Sequence, residues 1–290
     1  MQTIGDIAAL RTLLNSWRQQ GHSIALVPTM GNLHPGHLSL MQEAKNHATR
    51  VVASIFVNPL QFLPGEDYAA YPRTVEHDSQ LLRQHQVDAL FLPTVEAIYP
   101  KGQTQTTVVE VPEITAVLCG ARRPGHFSGV STVVCKLFNI VQPDVALFGE
   151  KDYQQLLVIR QMVDDLNIPV KIVGVTTLRE SDGLAMSSRN QYLSNQERQQ
   201  AAYLSQSLVQ MADQLIAGGS DHRQLEQQTV MALQQAGFQV DYVAVVHCLD
   251  LKPSTGQEPL QDLILLGAAS LGQARLIDNL KLRDALKKSF

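Results

Sequence analysis

Cysteine, tryptophan and charged residues are all scarce in this sequence. Of its 290 residues three are cysteine and one is tryptophan, while charged residues make up 17% and aromatic residues 6%. Cys119, Cys135 and Cys248 are odd in number and widely spaced, so they match neither a disulfide framework nor a metal or redox motif. We therefore expect buried free thiols in a reducing cytoplasm.

Long apolar runs and an excess of positive charge are also missing. No apolar run approaches the length that spans a membrane, and Asp6 and Arg11 lie in an amphipathic N-terminal pattern that is unlike a signal peptide. The net charge is −4, whereas a general nucleic-acid binder has a basic patch or a high isoelectric point. We expect a cytoplasmic protein with no membrane or nucleic-acid partner, in which a local cluster of residues holds any anionic substrate.

Three common catalytic signatures are absent from the chain. It has no Gly-x4-Gly-Lys-Ser/Thr, which excludes a P-loop enzyme, and no Gly-x-Gly-x-x-Gly after a strand, which argues against dinucleotide redox chemistry. It also has no Gly-x-Ser-x-Gly elbow. What is present is a 44% hydrophobic composition, enough to form the core of one large domain or two ordinary ones.

The segment from Pro28 to His37 is the most informative part of the sequence. An apolar run, Ile24 to Val27, leads into a glycine-punctuated turn, and His-Pro-Gly-His then opens a helical pattern. Pro35 suits the first helical position, because a proline lacks the N–H that would be unpaired there. His34 and His37 lie on one helical face, at a helix N-terminus that attracts anions. We predict a cradle for a triphosphate.

This turn has two alternative interpretations. A polar surface turn is the ordinary alternative. A zinc site is disfavoured, because no cysteine pair or third histidine lies nearby at a ligand-like spacing.

Short β-branched runs alternate with helical patterns in the first part of the chain, which predicts a Rossmann-like parallel sheet with helices on both faces. The predicted strands are Ile24–Val27, Val51–Val57, Ala89–Leu92, Val145–Phe148 and Val170–Val175, and the predicted helices are Leu38–His47, Val75–Gln86, Thr132–Val141 and Tyr153–Leu166. Beyond residue 175, two glutamine-rich helical segments precede three strand-like runs, which indicates a smaller α+β domain. We place the domains at 1–176 and 177–290.

Two further segments carry side chains suited to phosphate. In Phe148–Gln155, Gly149 permits close backbone approach and Lys151 is a mobile point charge; an ordinary capped helix start is the alternative. In Asp182–Asn190, small hydroxyls beside Arg189 can bind phosphate oxygens; a hinge or linker is the alternative there.

Two loops carry candidates for a small substrate. Gln61 follows a predicted strand and can hydrogen-bond a small polar molecule, although it can equally be an ordinary loop amide. The basic, glycine-rich stretch Arg122–Val130 is a mobile flap or a solvated turn, with His126 as its weakest functional candidate.

The motifs together, in their order and spacing, resemble the pantoate–β-alanine ligase family. The matching text is VPTMGNLHPGH, SIFVNPLQF, DYAAYPRT, RRPGHFSGVSTVV, FGEKDYQQL and DGLAMSSRNQYLS. His-x-Gly-His alone resembles only the HIGH signature of the nucleotidyl-transferase superfamily, and Met186–Arg189 resembles the Lys-Met-Ser-Lys-Ser loop of class I aminoacyl-tRNA synthetases. The resemblance covers essentially the whole chain, with less diagnostic text beyond about residue 194.

The resemblance implies an ATP-dependent, AMP-forming ligase that acts in two steps. The carboxylate of pantoate attacks the α-phosphate of ATP and gives pantoyl adenylate and pyrophosphate. The amine of β-alanine then attacks the acyl adenylate and gives pantothenate and AMP. Mg²⁺ would accompany ATP, held mainly by the phosphates, and the family is usually a homodimer built through its larger domain.

The resemblance also assigns roles by position. His37 would be the proton donor, while His34 and Lys151 would contact phosphates. Gln61 and Gln155 would bind pantoate, and Gln61 would be placed to meet β-alanine as well. Residues implied to bind ATP are Met30, Gly31, Asn32, Leu33, His34, Pro35, Gly36, His37, Gly149, Glu150, Lys151, Asp152, Leu178, Met186, Ser187, Ser188 and Arg189.

Two alternatives remain open at this point. Another HIGH-motif nucleotidyltransferase would keep the nucleotide in its product, and a non-catalytic ATP sensor would bind ATP without turnover. Only the ligase forms AMP in a reaction that needs an amine.

Overall fold

The computed structural model describes residues 1–219 and 221–287, and the chain divides into two compact units. The first consists of Met1–Glu150 and Gln154–Thr176, and the second consists of Lys151–Tyr153 and the chain from Thr177 onward. Lys151–Tyr153 therefore groups with the second unit, although the chain on both sides of it belongs to the first. Each unit has its own sheet.

The first unit is built on a parallel sheet to which six strands of the described chain contribute. These are β1 (Gln2–Ile4), β2 (Ile24–Thr29), β3 (Arg50–Ile55), β4 (Ala89–Phe91), β5 (Val145–Gly149) and β6 (Lys171–Val175). Their order is β1-β4-β3-β2-β5-β6, and every pairing is parallel. The chain steps outward from β2 through β3 to β4 and then returns to place β5 against the other side of β2. This reversal makes β2 and β5 the switch point, where ligands bind in doubly wound sheets.

Helices cover both faces of this sheet. They are α1 (Ile7–Gln19), α2 (Pro35–Ala44), α3 (Val75–Gln84), α4 (Val95–Ile98), α5 (Cys119–Arg122), α6 (His126–Val141) and α7 (Tyr153–Asp165). Ile24 to Val27 are each fully buried, and successive strand residues point to opposite faces. Continuous burial therefore requires a helical layer on each side, as the run of apolar residues predicted.

The prediction for the stretch Arg122–Val130 was wrong in part. Helix α6 begins at His126 rather than near residue 132, and Arg122 ends the short helix α5. Gly125 is the N-cap of α6 and has a left-handed φ of 83°. Gly129 lies inside the helix, where a Cβ atom would overlap the carbonyl of Leu60. Gly125 therefore allows the helix to start, and Gly129 allows the helix to pack closely against Leu60, so the two glycines do not mark a loop.

The second unit contains an antiparallel sheet in the order β7-β8-β9. Its strands are β7 (Gln239–His247), β8 (Leu263–Leu271) and β9 (Ala274–Lys281), and its helices are α8 (Asn195–Ala201), α9 (Tyr203–Ile216), α10 (His222–Gln235) and α11 (Leu282–Leu286). The first predicted glutamine-rich helix is thus two helices, which separate at residue 202. The apolar faces of α9 and β8 share one buried core, so this unit is the α+β arrangement that the sequence predicted.

The described residues also bear on membrane-spanning helices, metal-binding clusters and the state of the cysteines. None of their helices is both long and apolar enough to cross a membrane, and they hold no cluster of three or more histidine, cysteine or acidic side chains that could bind a metal ion. Within the described residues none of the three cysteines is in a disulfide, and all three are partly exposed, whereas buried thiols were predicted.

Candidate functional site

The turn after β2 is shaped by two residues with left-handed backbone. Gly31 has a φ of 83° and Asn32 a φ of 51°. A Cβ atom on Gly31 would lie 3.0 Å from a methyl carbon of Ile55 and 3.1 Å from a carboxylate oxygen of Asp78. Glycine is therefore required there both by backbone angle and by space, and the turn leads directly into α2 at Pro35.

Asp78 anchors this turn through hydrogen bonds to its backbone. Its carboxylate is fully buried and accepts hydrogen bonds from the backbone N–H groups of Asn32, at 2.9 Å, and Leu33, at 2.8 Å. The hydroxyl of Thr74 donates a third bond at 3.1 Å. Sequence reasoning missed Asp78. The available signal was its position four residues before Leu82, which places this acidic residue on the buried face of the helix.

His34 and His37 are brought together at the N-terminus of α2, with ring centroids 4.0 Å apart. His34 is the N-cap, and its Nδ1 accepts the N–H of Gly36 at 3.1 Å. The Nδ1 of His37 accepts the N–H of His34 at 3.4 Å. Because each Nδ1 is an acceptor, a neutral ring carries its proton on Nε2. Both rings can therefore donate from Nε2, close to the helix N-terminus that favours anions.

Gln61 lies in a 3-10 turn, Pro59–Gln61, after β3. Its side-chain Nε2 lies 2.9 Å from the sulfur of Met30, and its Oε1 accepts from Asn58 at 3.1 Å. The Asn58 side chain is buried and is bonded in turn to the hydroxyl of Tyr99 at 2.7 Å. Burial raises the pKa of Tyr99 well above its ordinary value, so this hydroxyl remains a donor. Asn58 and Tyr99 were not anticipated from the sequence.

Gln154 and Gln155, neighbours on α7, differ sharply in environment. Gln154 is only 6% exposed. Its amide donates to the carbonyls of Ile114 and Val117 and accepts the N–H of Cys119, the first residue of α5. The side chain of Gln155 is partly exposed and makes no hydrogen bond with the described residues. Gln155 is therefore the member of the pair whose amide is available to a ligand.

The carboxyl end of β5 is open. Gly149 is the last residue of that strand, and a Cβ atom built on it would meet no atom within 4 Å. Because β2 and β5 pair side by side, the histidine turn follows one strand of the switch point and Gly149 ends the neighbouring one.

Lys151 is held by the second unit. The side-chain amide of Asn279, at the end of β9, donates to the carbonyl of Lys151 at 2.9 Å. The Lys151 ammonium lies 4.0 Å from the carboxylate of Asp152. A small cavity in this unit is lined by Lys151 together with Ser187 and Asp278, so the unit brings two of the predicted phosphate-binding residues to one place.

The segment from Leu178 to Arg189 is an ordered part of the second unit. Met186 donates its N–H to the carbonyl of Leu178 at 3.1 Å, and the Ser187 hydroxyl accepts the N–H of Arg189 at 3.2 Å. The predicted positions Leu178 and Met186 are therefore adjacent, and Ser188 and Arg189 begin a 3-10 turn.

A partly buried ion pair anchors this segment to the sheet of the second unit. Arg179 donates to both carboxylate oxygens of Asp278, at 2.7 Å and 2.8 Å, and the Asp278 side chain is only 3% exposed. Arg179 also donates to the carbonyl of Gly183 at 2.9 Å. The sequence offered no signal for this pair, since the two residues lie 99 positions apart.

A doubly wound parallel sheet with a His-x-Gly-His turn at its switch point defines a nucleotide-binding protein of the HIGH-motif class. The chain belongs to the pantoate–β-alanine ligase family, because the family model described as Pantoate-beta-alanine ligase matches residues 2–281.

Individual relatives agree with this assignment. The chain is 53% identical over 285 residues to the pantothenate synthetase of Shewanella loihica, covering 98% of this chain and 100% of the relative. A crystal structure of pantothenate synthetase from Thermus thermophilus matches with a TM-score of 0.90 at 48% identity, covering 97% of this chain and 99% of that one. A pantoate-beta-alanine ligase from Francisella tularensis, complexed with beta-gamma ATP and beta-alanine, matches with a TM-score of 0.81 at 35% identity, covering 98% of both chains.

Proposed function

We propose that this protein condenses pantoate with β-alanine to form pantothenate, consuming ATP and releasing AMP and pyrophosphate through a pantoyl-adenylate intermediate. The observation that carries the proposal is the histidine turn held by Asp78 at the switch point of the sheet. Family membership over nearly the whole chain supports the same reaction, as does the Francisella tularensis relative that is complexed with beta-gamma ATP and beta-alanine.

Adenylation requires charge stabilisation rather than a covalent nucleophile. As pantoate attacks the α-phosphate, negative charge builds on the phosphate oxygens, and preorganised donors lower that barrier. The Nε2–H groups of His34 and His37 are such donors, and Lys151 adds a positive charge. His37 is the proposed proton donor. Holding two anionic substrates side by side supplies the rest of the rate enhancement.

The nucleotide-binding residues in this proposal are those that the family resemblance implies. They are Met30–His37, Gly149–Asp152, Leu178 and Met186–Arg189. Mg²⁺ accompanies ATP, because that ion binds readily through nucleotide phosphates with one or two carboxylates. Glu150 and Asp152 are carboxylates within the proposed nucleotide-binding set.

Pantoate is assigned to Gln61 and Gln155. Its two hydroxyl groups need partners that both donate and accept, which a glutamine amide does. Met30 provides an apolar surface in contact with the Gln61 amide, suited to the gem-dimethyl group. Gln61 also meets β-alanine.

The remaining parts of the proposal concern organisation. Residues 1–176 form the nucleotide- and pantoate-binding domain, and residues 177–290 form a smaller lid domain. The protein acts in the cytoplasm, where free cysteines remain reduced, and it forms a homodimer through the larger domain. Its partners are small molecules, with no nucleic acid or membrane among them.

A pair of assays tests the reaction. With ATP and pantoate alone, we expect a stoichiometric burst of pyrophosphate, because the adenylate stays on the enzyme. Addition of β-alanine should then give continuous release of AMP. A product that retains the nucleotide would identify a nucleotidyltransferase instead, and ATP binding with neither burst nor turnover would identify a sensor.

A further inference from the structure

The guanidinium of Arg123 is the centre of a hydrogen-bond network beside the proposed pantoate site. Its Nε donates to one carboxylate oxygen of Glu66 at 2.7 Å and its Nη2 donates to the other at 2.6 Å. Nη1 lies 3.0 Å from Nε2 of His126, and Nη2 lies 3.2 Å from the carbonyl oxygen of Gln61. One side chain therefore joins a loop carboxylate, a histidine and the backbone of a proposed substrate-binding residue.

The geometry determines the tautomer of His126. A guanidinium has only donors, so Nε2 of His126 must accept from Arg123. The proton of the neutral ring is then on Nδ1, which lies 2.7 Å from the carbonyl oxygen of Gln61 and donates to it. The carbonyl of Gln61 thus receives one N–H from Arg123 and another from His126.

Charge and burial make this network rigid. The side chains of Arg123 and Glu66 are 15% and 25% exposed. Burial acts to raise the pKa of Glu66, but the hydrogen bonds from Arg123 and from the N–H of Leu63, together with the charge of Arg123, outweigh it and hold the pKa below its ordinary value. Glu66 is therefore ionised near neutral pH. The bonds of Arg123 to Glu66, His126 and Gln61 use four of its five N–H groups, which restricts the orientation of the guanidinium.

The backbone around Gln61 is also held by helix α6. Gly129 approaches the carbonyl of Leu60 so closely that no Cβ atom would fit, and Asn58 donates to the carbonyl of Gly129 at 3.0 Å. With its backbone fixed by these contacts, Gln61 has only its side-chain torsions left to adjust.

We propose that Glu66, Arg123 and His126 are positioning residues that set the orientation of the Gln61 amide for pantoate. They act through the main-chain carbonyl of Gln61 and touch no reacting atom. A substrate that meets an ordered amide does not have to order it during binding, so the network lowers the Michaelis constant for pantoate. This inference rests on the proposed function and on the role assigned there to Gln61.

The test uses the full-length protein and two substitutions at His126. His126→Ala removes the donor to the Gln61 carbonyl and should raise the KM for pantoate about tenfold, the value of one hydrogen bond. The KM for ATP should change little. His126→Asn retains an N–H near the position of Nδ1 and should restore most of the affinity for pantoate. His77→Ala, which removes an exposed histidine from α3 outside the network, is the matched control.

A double-mutant cycle shows whether His126 acts through Gln61. In a Gln61→Ala background the amide to be positioned is gone, so His126→Ala should have no further effect on the KM for pantoate. An equal effect in both backgrounds would overturn the inference, as would parallel rises in the KM for ATP and pantoate. Absence of a pantoate-dependent pyrophosphate burst in the unmodified protein would refute the proposed function itself. The positioning role alone would be refuted if the unmodified protein gave a normal burst and His126→Ala had the same KM for pantoate as His77→Ala.

Discussion

Asp78→Asn is the substitution that most directly tests how the histidine turn is built. Asn has nearly the same shape as Asp but no charge, and its amide nitrogen donates instead of accepting. One of the two backbone N–H groups that now bond to Asp78, those of Asn32 and Leu33, would face that nitrogen without a partner. The other would keep an acceptor, although a weaker one.

The expected cost follows from these contacts. A buried unsatisfied N–H costs about 1–3 kcal/mol, and loss of the charge weakens the second bond, so we expect a destabilisation of about 3 kcal/mol. For a unit of this size, each kcal/mol lowers the melting temperature by roughly 2–4 °C, so the shift should be about 10 °C. Thr74→Val is a matched comparison, since it removes only the hydroxyl bond to the same carboxylate and should cost about 1 kcal/mol.

Calorimetry and activity together provide the assay. Because the chain has two compact units, unfolding can show more than one transition, and the effect should fall on the transition of the first unit. The pyrophosphate burst of Asp78→Asn should also slow at temperatures where the protein is folded, because the rings of His34 and His37 depend on the turn. A melting temperature for Asp78→Asn equal to that of Thr74→Val would refute this reasoning.

Other predictions concern separate parts of the proposed site. His37→Ala and Lys151→Ala should each slow pyrophosphate release, measured with ATP and pantoate, by a factor equivalent to about 3–4 kcal/mol; release near the normal rate would refute the assigned role. Gln155→Ala should raise the KM for pantoate strongly and that for ATP weakly, and the opposite ranking would move it to the nucleotide site. Arg189→Ala should impair adenylation more than it alters the melting temperature, and hydrogen exchange around Arg189 should slow when ATP and pantoate bind if this segment closes. Gly129→Ala should lower the melting temperature and the affinity for pantoate together, because its new Cβ atom has no space; retention of both would contradict the close packing.

Local sequence patterns were sufficient for most of the secondary structure. The runs that became β2 and β5 were apolar throughout, because a strand covered on both faces has no polar side. His-Pro-Gly-His marked a helix start, because proline and the N-terminal donors restrict the backbone there. In contrast, the glycine-rich stretch that became the start of α6 was misjudged, since Gly129 serves a contact with a distant turn rather than local flexibility.

The amino-acid sequence by itself determined the alternation of strands and helices, the turn that carries His34 and His37, and the resemblance to a ligase family. These features depend on neighbouring residues, whose spacing and backbone preferences can be read directly. Only the tertiary structure decided which side chains support them: Asp78 beneath the turn, the Arg123 network on Gln61, and the Arg179–Asp278 pair. Hydrogen bonds of this kind join residues far apart in the chain, and an isolated aspartate or arginine has the same local signal whether it is buried in such a network or exposed to water.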